Sequence, residues 1–544
     1  MSENQSESSC YDFVVVGSGV AGALLARELT RAGFRVCILE SGGRVERKQA
    51  ALRYRESLVR DLAAPYPRWP WAPIPEAGSA EAYFGKDSAP DYRPSYLKLV
   101  GGTTWHWTGM TPRFLPTDFE LSSRYGVGAD WPIGYADLEP YYLKAEHVLG
   151  VSGDSADDHG SPRSGIYPMP PIPMPYSDRM VAERLAKHGV SVKPFPAARN
   201  SQPYHDRPQC CGNNTCTPIC PIGAQYSANT DVDNAVREGA RLIEQATVYR
   251  FELGGEKHIA AAHYKLPDGS SHRIAAKRFV VACNSIETPR LLLMSACEQA
   301  PDGIANSSGQ VGRNLMDHLI FFNTFRMNMP IYGGRGPQSV SGVMTGRDGE
   351  FRRQHSAVKL FLSNDLNVQE KALQAIENQQ QWSNVVDALK QAAIHQGCIG
   401  GELEPLPSEQ NRITLDKERL DPLGLPLPQV AYRVGDYVND GLGVWKQFVG
   451  DLIGKMGAEP VSFSVAHSSH HPSGTARMGI DRTKSVVDAN CRSHDHPNLY
   501  VLGASVFPTM GTANPTLTVA ALSLRLAEHL AKVATTTPAT TPWT

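Results

Sequence analysis

Four cysteines, Cys210, Cys211, Cys216 and Cys220, fall within eleven residues of the string CCGNNTCTPICPIG. Thiolates at this density hold iron–sulfur clusters or zinc, and ligand softness does not separate the two. The spacing C-C-x4-C-x3-C departs from the paired C-x2-C knuckles of structural zinc sites. Adjacent Cys210 and Cys211 cannot easily both face one centre, so a cluster held by three of the four is expected, with Cys211, Cys216 and Cys220 favoured. Zinc and a disulfide-stapled loop are the alternatives. A second chemical feature opens the chain. DFVVV (12–16) reads as a buried strand, GSGVAG follows with Gly17, Gly19 and Gly22 in G-x-G-x-x-G spacing, and ALLARELTRAG repeats apolar residues at helical intervals. A second strand, RVCILE, ends in Glu40. Strand, glycine turn, helix, strand and acid together predict a dinucleotide site. Gly17 makes the turn, Gly19 admits a pyrophosphate, Gly22 lets helix and strand pack, and Glu40 accepts from ribose hydroxyls. The loop does not separate FAD from NAD.

These sites need a large scaffold. The 544 residues are too many for one ordinary core, and 41% hydrophobic with 20% charged residues is an ordinary globular balance. A formal net charge of −2 gives no footing for nucleic acid or for polybasic membrane docking. No apolar run approaches the ~20 residues that span a bilayer. The N-terminus has no basic patch and no apolar stretch of the signal-peptide kind. Cytoplasmic residence, or periplasmic residence by co-export with a signal-bearing partner, is expected.

Later segments resolve the nucleotide choice. VGGTTWHWTGMTPRF (100–114), NSIETPRLLLMSA (284–296), SSHHPSGTARMG (468–479) and NLYVLGASVFPTMGTANPTLTVAALSLRLAEHL (498–530) occur in this order behind the glycine loop. Together they resemble the glucose–methanol–choline (GMC) oxidoreductase family, whose cofactor is FAD. The blocks HWTGMTPRF and ANPTLT are similar to pyranose oxidases. The cysteine block and VGRNLMDH (311–318) are similar to the large subunits of bacterial glucose, fructose and gluconate dehydrogenases, and to glucoside 3-dehydrogenases. Those complexes pass electrons through an iron–sulfur cluster to a cytochrome.

The resemblance implies an α/β fold with a Rossmann-type FAD-binding domain and a discontinuous α+β substrate domain. It implies a histidine base at His471 and an asparagine partner at Asn514, which would hold the substrate oxygen as alkoxide charge develops. Neighbouring His470 and His471 must point to different faces, so only one meets the flavin. A packed structural role for His471, or a metal site formed with His467 and His470, is the competing reading. Gly101, Gly102, His106, Asn284, Asn514 and Thr516 are placed against FAD. His106 stands where pyranose oxidases bond the flavin covalently, and a histidine merely packed beside it is the alternative. A [3Fe–4S] cluster, a small chaperone-like subunit and a cytochrome acceptor are implied partners. The implied reaction is hydride transfer from a sugar or glycoside hydroxyl, at pyranose C3 or C1. An oxygen-using pyranose or C-glycoside oxidase, and a flavin-binding electron-transfer subunit, are the other readings.

The motifs place the FAD domain at 10–61, 96–115, 225–320 and 465–535, and the substrate domain at 116–200 and 321–464. Between them lie a Pro-, Tyr- and Trp-rich wrapping arm (62–95) and the cysteine loop (201–224). A helix near 135–149, a long polar helix around 366–396, strands around 400–465 forming a mixed sheet, and a disordered tail (536–544) are expected. Tyr332 and Tyr437 are candidates to stack on a sugar.

Overall fold

A computed structural model describes residues 11–58, 61–75, 83–85, 87–365, 372 and 375–536. The expected tail therefore lies outside the described residues from 537 onward, as do 76–82 and 86 of the arm and 366–371 and 373–374 of the polar helix.

The β-branched strand Tyr11–Val16 is buried at its C-terminal end and sits at the centre of a seven-stranded sheet. It runs parallel to Val36–Leu39 on one side and to Ser271–Val281 on the other. Arg241–Ile243 extends the parallel edge beyond Val36–Leu39, and Leu499–Val501 pairs parallel with Ser271–Val281. Thr247–Leu253 and Ile259–Lys265 add an antiparallel meander. The helix Val20–Arg31 starts directly after Gly19 and ends before Gly33, whose φ of +87° suits the residue after a helix. Its apolar face, including Leu24, Leu25 and Leu29, is fully buried against the helices Asn229–Arg237 and Thr516–Thr536. The expected helix near 135–149 spans Tyr135–Leu149 and packs on Thr516–Thr536.

A second sheet has six strands in the order Glu459–Ala466, Leu319–Arg326, Gln396–Leu403, Val358–Ser363, Ser341–Val343 and Lys193–Pro194. It is antiparallel throughout, not the mixed sheet expected from sequence. The helix Trp382–His395 links Val358–Ser363 to Gln396–Leu403, but the two strands return side by side, so the helix makes no parallel crossover. The region 400–465 is also less uniformly stranded than expected: the helix Asp436–Lys455 lies against this sheet, and Arg412–Leu420 with Pro426–Ala431 forms a separate hairpin. The described part of the arm holds no strand. Tyr66 anchors it edge-on to Trp105 at 6.3 Å between ring centroids. The functional cavity opens between the two sheets.

Candidate active site

The cavity has a volume of about 600 Å3. Its floor is the glycine turn. Gly17 has φ +100°, and a Cβ there would lie 2.8 Å from the Ala282 carbonyl oxygen; a Cβ on Gly22 would lie 2.0 Å from the Gly17 carbonyl oxygen. Both positions exclude side chains on steric grounds. Gly19 differs: a Cβ there meets nothing within 4 Å, because the position faces the open cavity. The N-terminus of the helix Val20–Arg31 therefore presents its free N–H groups and positive dipole end to any phosphate lying there. Gly102 approaches the turn so closely that its Cβ would stand 3.0 Å from Gly19 Cα, and Gly101 donates its N–H to Ser18 Oγ at 3.2 Å.

Glu40 is buried and accepts from Ser18 N–H at 3.0 Å, Ser18 Oγ at 2.7 Å and Gly42 N–H at 3.0 Å. Burial raises its pKa against the pull of these donors. Asn284 Oδ1 accepts from the N–H groups of Ile286 and Glu287, each at 2.9 Å, and starts the helix Glu287–Met294 at the cavity wall. Of the residues assigned to the cofactor, Gly17, Gly19, Glu40, Gly102, His106, Asn284, Asn514 and Thr516 line the cavity, while Gly22 and Gly101 support it from behind. Several buried polar atoms on its wall, His106 Nδ1 and Ser285 Oγ among them, have no hydrogen-bond partner in the protein. An open glycine cradle, an acid at the second strand and orphaned polar atoms in an elongated cavity fit a bound dinucleotide. Burial holds His106 neutral, with a pKa near 3.

At the far end of the cavity His471 and Asn514 meet, with His471 Nε2 3.3 Å from Asn514 Nδ2. The surrounding hydrogen bonds fix every tautomer. His318 Nε2 lies 3.0 Å from the Gly511 carbonyl oxygen, which only accepts, so His318 carries its proton on Nε2 and its Nδ1 is bare. His471 Nδ1 lies 3.0 Å from that bare nitrogen and must donate to it. His471 is thereby left with a lone pair on Nε2, the atom that faces Asn514. The Lys359 ammonium donates to Asn514 Oδ1, which turns the Asn514 NH2 group toward His471. Lys359 is balanced by Glu402 at 2.5 Å, and Glu402 also accepts from Ser469 Oγ at 2.9 Å. Enclosure lowers the pKa of His471 to about 3 and that of His318 to about 4, so both are neutral near pH 7. Burial would raise Glu402, but the Lys359 charge outweighs it and brings the carboxyl to about 2.

Asp317 grips the backbone of the same loop. It accepts from His471 N–H (3.0 Å), Ser469 N–H (3.1 Å), Ser468 Oγ (2.8 Å) and Tyr92 Oη (3.0 Å). His470 lines the cavity as well, its Nδ1 accepting from Ser95 N–H at 2.9 Å. Among the described residues, the ligand-type atoms of His318, Glu402 and His471 lie within 4.8 Å of one another, a group that includes neither His467 nor His470. The imidazole–imidazole hydrogen bond and the Lys359 ion pair account for that closeness without a metal.

Sequence reasoning did not single out Asp317, His318, Lys359 or Glu402. The first two close the string VGRNLMDH, which carried likeness but no role. Lys359 and Glu402 lie on different strands and meet only through sheet register. Tyr332 and Tyr437 do not line the cavity; Phe322 and Phe361 do. Tyr437 instead bonds Glu404 and the Arg352 carbonyl.

The cysteine loop touches the cavity through Thr217, whose N–H donates to Gln338 Oε1 at 3.0 Å. Cys216 and Cys220 are buried, Cys210 is half-buried and Cys211 is exposed, and all four thiols are free. Burial raises the pKa of Cys210, the nearby Cys216 and Cys220 raise it further, and the Gly212 N–H (3.4 Å to Sγ) and Arg199 oppose the rise. Cys210 thus lies within electrostatic reach of Cys216 and Cys220. Gly212, directly after Cys211, has φ +67°.

Residues 11–320 match the N-terminal family of GMC oxidoreductases and residues 407–523 the C-terminal family. The chain belongs to the GMC oxidoreductases, FAD enzymes that act on CH–OH groups. It is 39% identical to the fructose dehydrogenase large subunit of Gluconobacter japonicus, over 96% of this chain and 98% of that one. It is 25% identical to the gluconate 2-dehydrogenase flavoprotein of Pantoea cypripedii, over 94% and 92%. The fold matches the crystal structure of pyridoxine 4-oxidase from Mesorbium loti with a TM-score of 0.64 at 18% identity, over 96% of this chain and 99% of that one. Among the described residues no helix is long and apolar enough to cross a membrane.

Proposed function

We propose that this chain is the catalytic flavoprotein subunit of a sugar dehydrogenase. The observation that carries the reading is the bare Nε2 of His471, held inside the cofactor cavity beside the Asn514 amide donor. A carbinol placed there would give its hydroxyl proton to His471 Nε2, while Asn514 Nδ2–H holds the oxygen as negative charge develops on it. FAD, which the glycine turn would hold, would supply the hydride acceptor when bound. Phe322, Phe361 and Met110 offer apolar wall to a sugar face, and Gln338, Ser339 and Asp365 offer polar partners to its hydroxyls.

The likeness to a fructose dehydrogenase large subunit favours a free sugar as substrate and puts D-fructose first in any panel, followed by glycosides oxidised at C3 and glucose oxidised at C1. Cys210, Cys216 and Cys220 form the ligand set for an iron–sulfur cluster, with Cys211 outside it. Such a cluster would accept electrons singly and pass them to a cytochrome. Tyr66 supports this arrangement, its hydroxyl lying between the carbonyl oxygens of Trp105 (3.0 Å) and Pro218 (2.5 Å), so that one side chain ties the cofactor wall to the cysteine loop. A small partner subunit is expected, as the names of the relatives imply. The test is anaerobic mixing of the purified holoprotein with the sugar panel, followed by product analysis. Bleaching of the flavin by at least one sugar, with a keto-sugar or lactone product, is expected. A flavin that no sugar bleaches overturns the reading.

A further inference from the structure

His318 does more for the base than orient it. Its ring stands edge-on to His471, the planes at 87° and the centroids 5.2 Å apart, with the two Nδ1 atoms 3.0 Å from each other. It is fully buried, and its second nitrogen already donates to the Gly511 carbonyl. Gly511 itself has φ +53°, and a Cβ there would lie 2.4 Å from Asp118 Oδ2, so a side chain at this position is disfavoured. The bare Nδ1 of His318 is therefore fixed on the His471 N–H and can receive its proton without moving. The Glu402 carboxylate lies within 4.8 Å of both rings.

Removing a substrate proton leaves a positive charge beside the fully buried His318, and an unshared imidazolium in such surroundings is costly. We propose that His318 shares this proton. The carbinol O–H bond breaks and its proton binds His471 Nε2; the proton on His471 Nδ1 passes to His318 Nδ1; the hydride leaves the carbinol carbon for the flavin. The charge then rests on His318, which donates from both nitrogens, to His471 and to Gly511, and faces Glu402. No proton or electron is left over. Lys359 on the neighbouring strand keeps Glu402 in place, while Asp118, facing His318, and His470, facing His471, are the other titratable neighbours. His318 is thus a positioning and proton-sharing residue that acts through His471, and the inference rests on His471 being the base.

The variant His318→Gln separates the two roles, because a Gln side chain can accept from His471 Nδ1–H and donate to Gly511 but cannot take up a proton. With flavin content and substrate KM unchanged, its anaerobic flavin-reduction rate is expected to fall by about tenfold or more, and the acid limb of that rate to move to lower pH. A rate within about twofold of wild type with an unmoved limb overturns the proposal. A second measurement needs no variant: the reduction rate of wild-type holoprotein in H2O–D2O mixtures should curve with deuterium fraction, as two moving protons require, and a straight line overturns proton sharing. His471→Ala distinguishes the failures. If it reduces its flavin at the wild-type rate, the base assignment falls and this proposal with it; if it is inactive while the mixture plot is straight, the sharing alone falls.

Discussion

Lys359 and Glu402 stand directly opposite each other on adjacent antiparallel strands, their charges 2.5 Å apart and buried beside His471 and Asn514. Removing one partner leaves the other as an uncompensated buried charge. Lys359→Met is expected to cost about 3–5 kcal/mol of stability. It should also slow substrate oxidation, because Asn514 loses the contact that sets its amide. The double variant Lys359→Met with Glu402→Met should recover most of the stability and none of the rate. Thermal unfolding and flavin-reduction assays on the three proteins check this; equal melting temperatures for wild type and Lys359→Met would refute it.

Acid should destabilise the protein through its buried imidazoles. His106, His318 and His471 are neutral when folded, with pKa values near 3, 4 and 3, against about 6.5 when unfolded. Between those limits the unfolded chain binds more protons, so stability is complete above about pH 6.5 and is lost as pH falls toward about 3–4. Melting temperatures measured down this range should decline steadily. A flat profile to about pH 4.5 would show that these rings are accessible to protons in the folded state.

Gly22→Ala should yield protein without flavin. The added methyl would sit 2.0 Å from the Gly17 carbonyl oxygen, so the glycine turn must open. Absorbance of the purified variant, compared with wild type, checks this, and full flavin content would be the contrary result.

The cysteine loop predicts a graded series. Cys216→Ser and Cys220→Ser, both at buried positions, should lose bound iron and transfer of electrons to a cytochrome, while sugar still bleaches the flavin. Cys211→Ser should keep its iron. Iron content and acceptor reduction of the three variants decide the ligand set, and iron loss from Cys211→Ser alone would restore the triplet first favoured by spacing.

The sequence makes the nucleotide half legible because each residue there answers a local demand. A tight turn needs Gly17, a close crossing needs Gly22, and the second strand must end in an acid, all within thirty residues of continuous chain. His471 and Asn514 were reached only through family likeness, since nothing in their local pattern separates them from other histidines and asparagines. Their supports were not legible. Lys359 and Glu402 are joined by strand register, and His318 reaches His471 across 153 positions. Such pairings depend on how the antiparallel sheet closes over the cavity, which no local spacing encodes.

The most direct measurement compares wild-type and His471→Ala holoproteins in anaerobic rapid mixing with D-fructose and the other sugars of the panel. The account predicts that wild-type flavin is reduced and that the variant, with its flavin still bound, is reduced about 100-fold to 10,000-fold more slowly. Reduction of the variant at a rate close to that of wild type would contradict it.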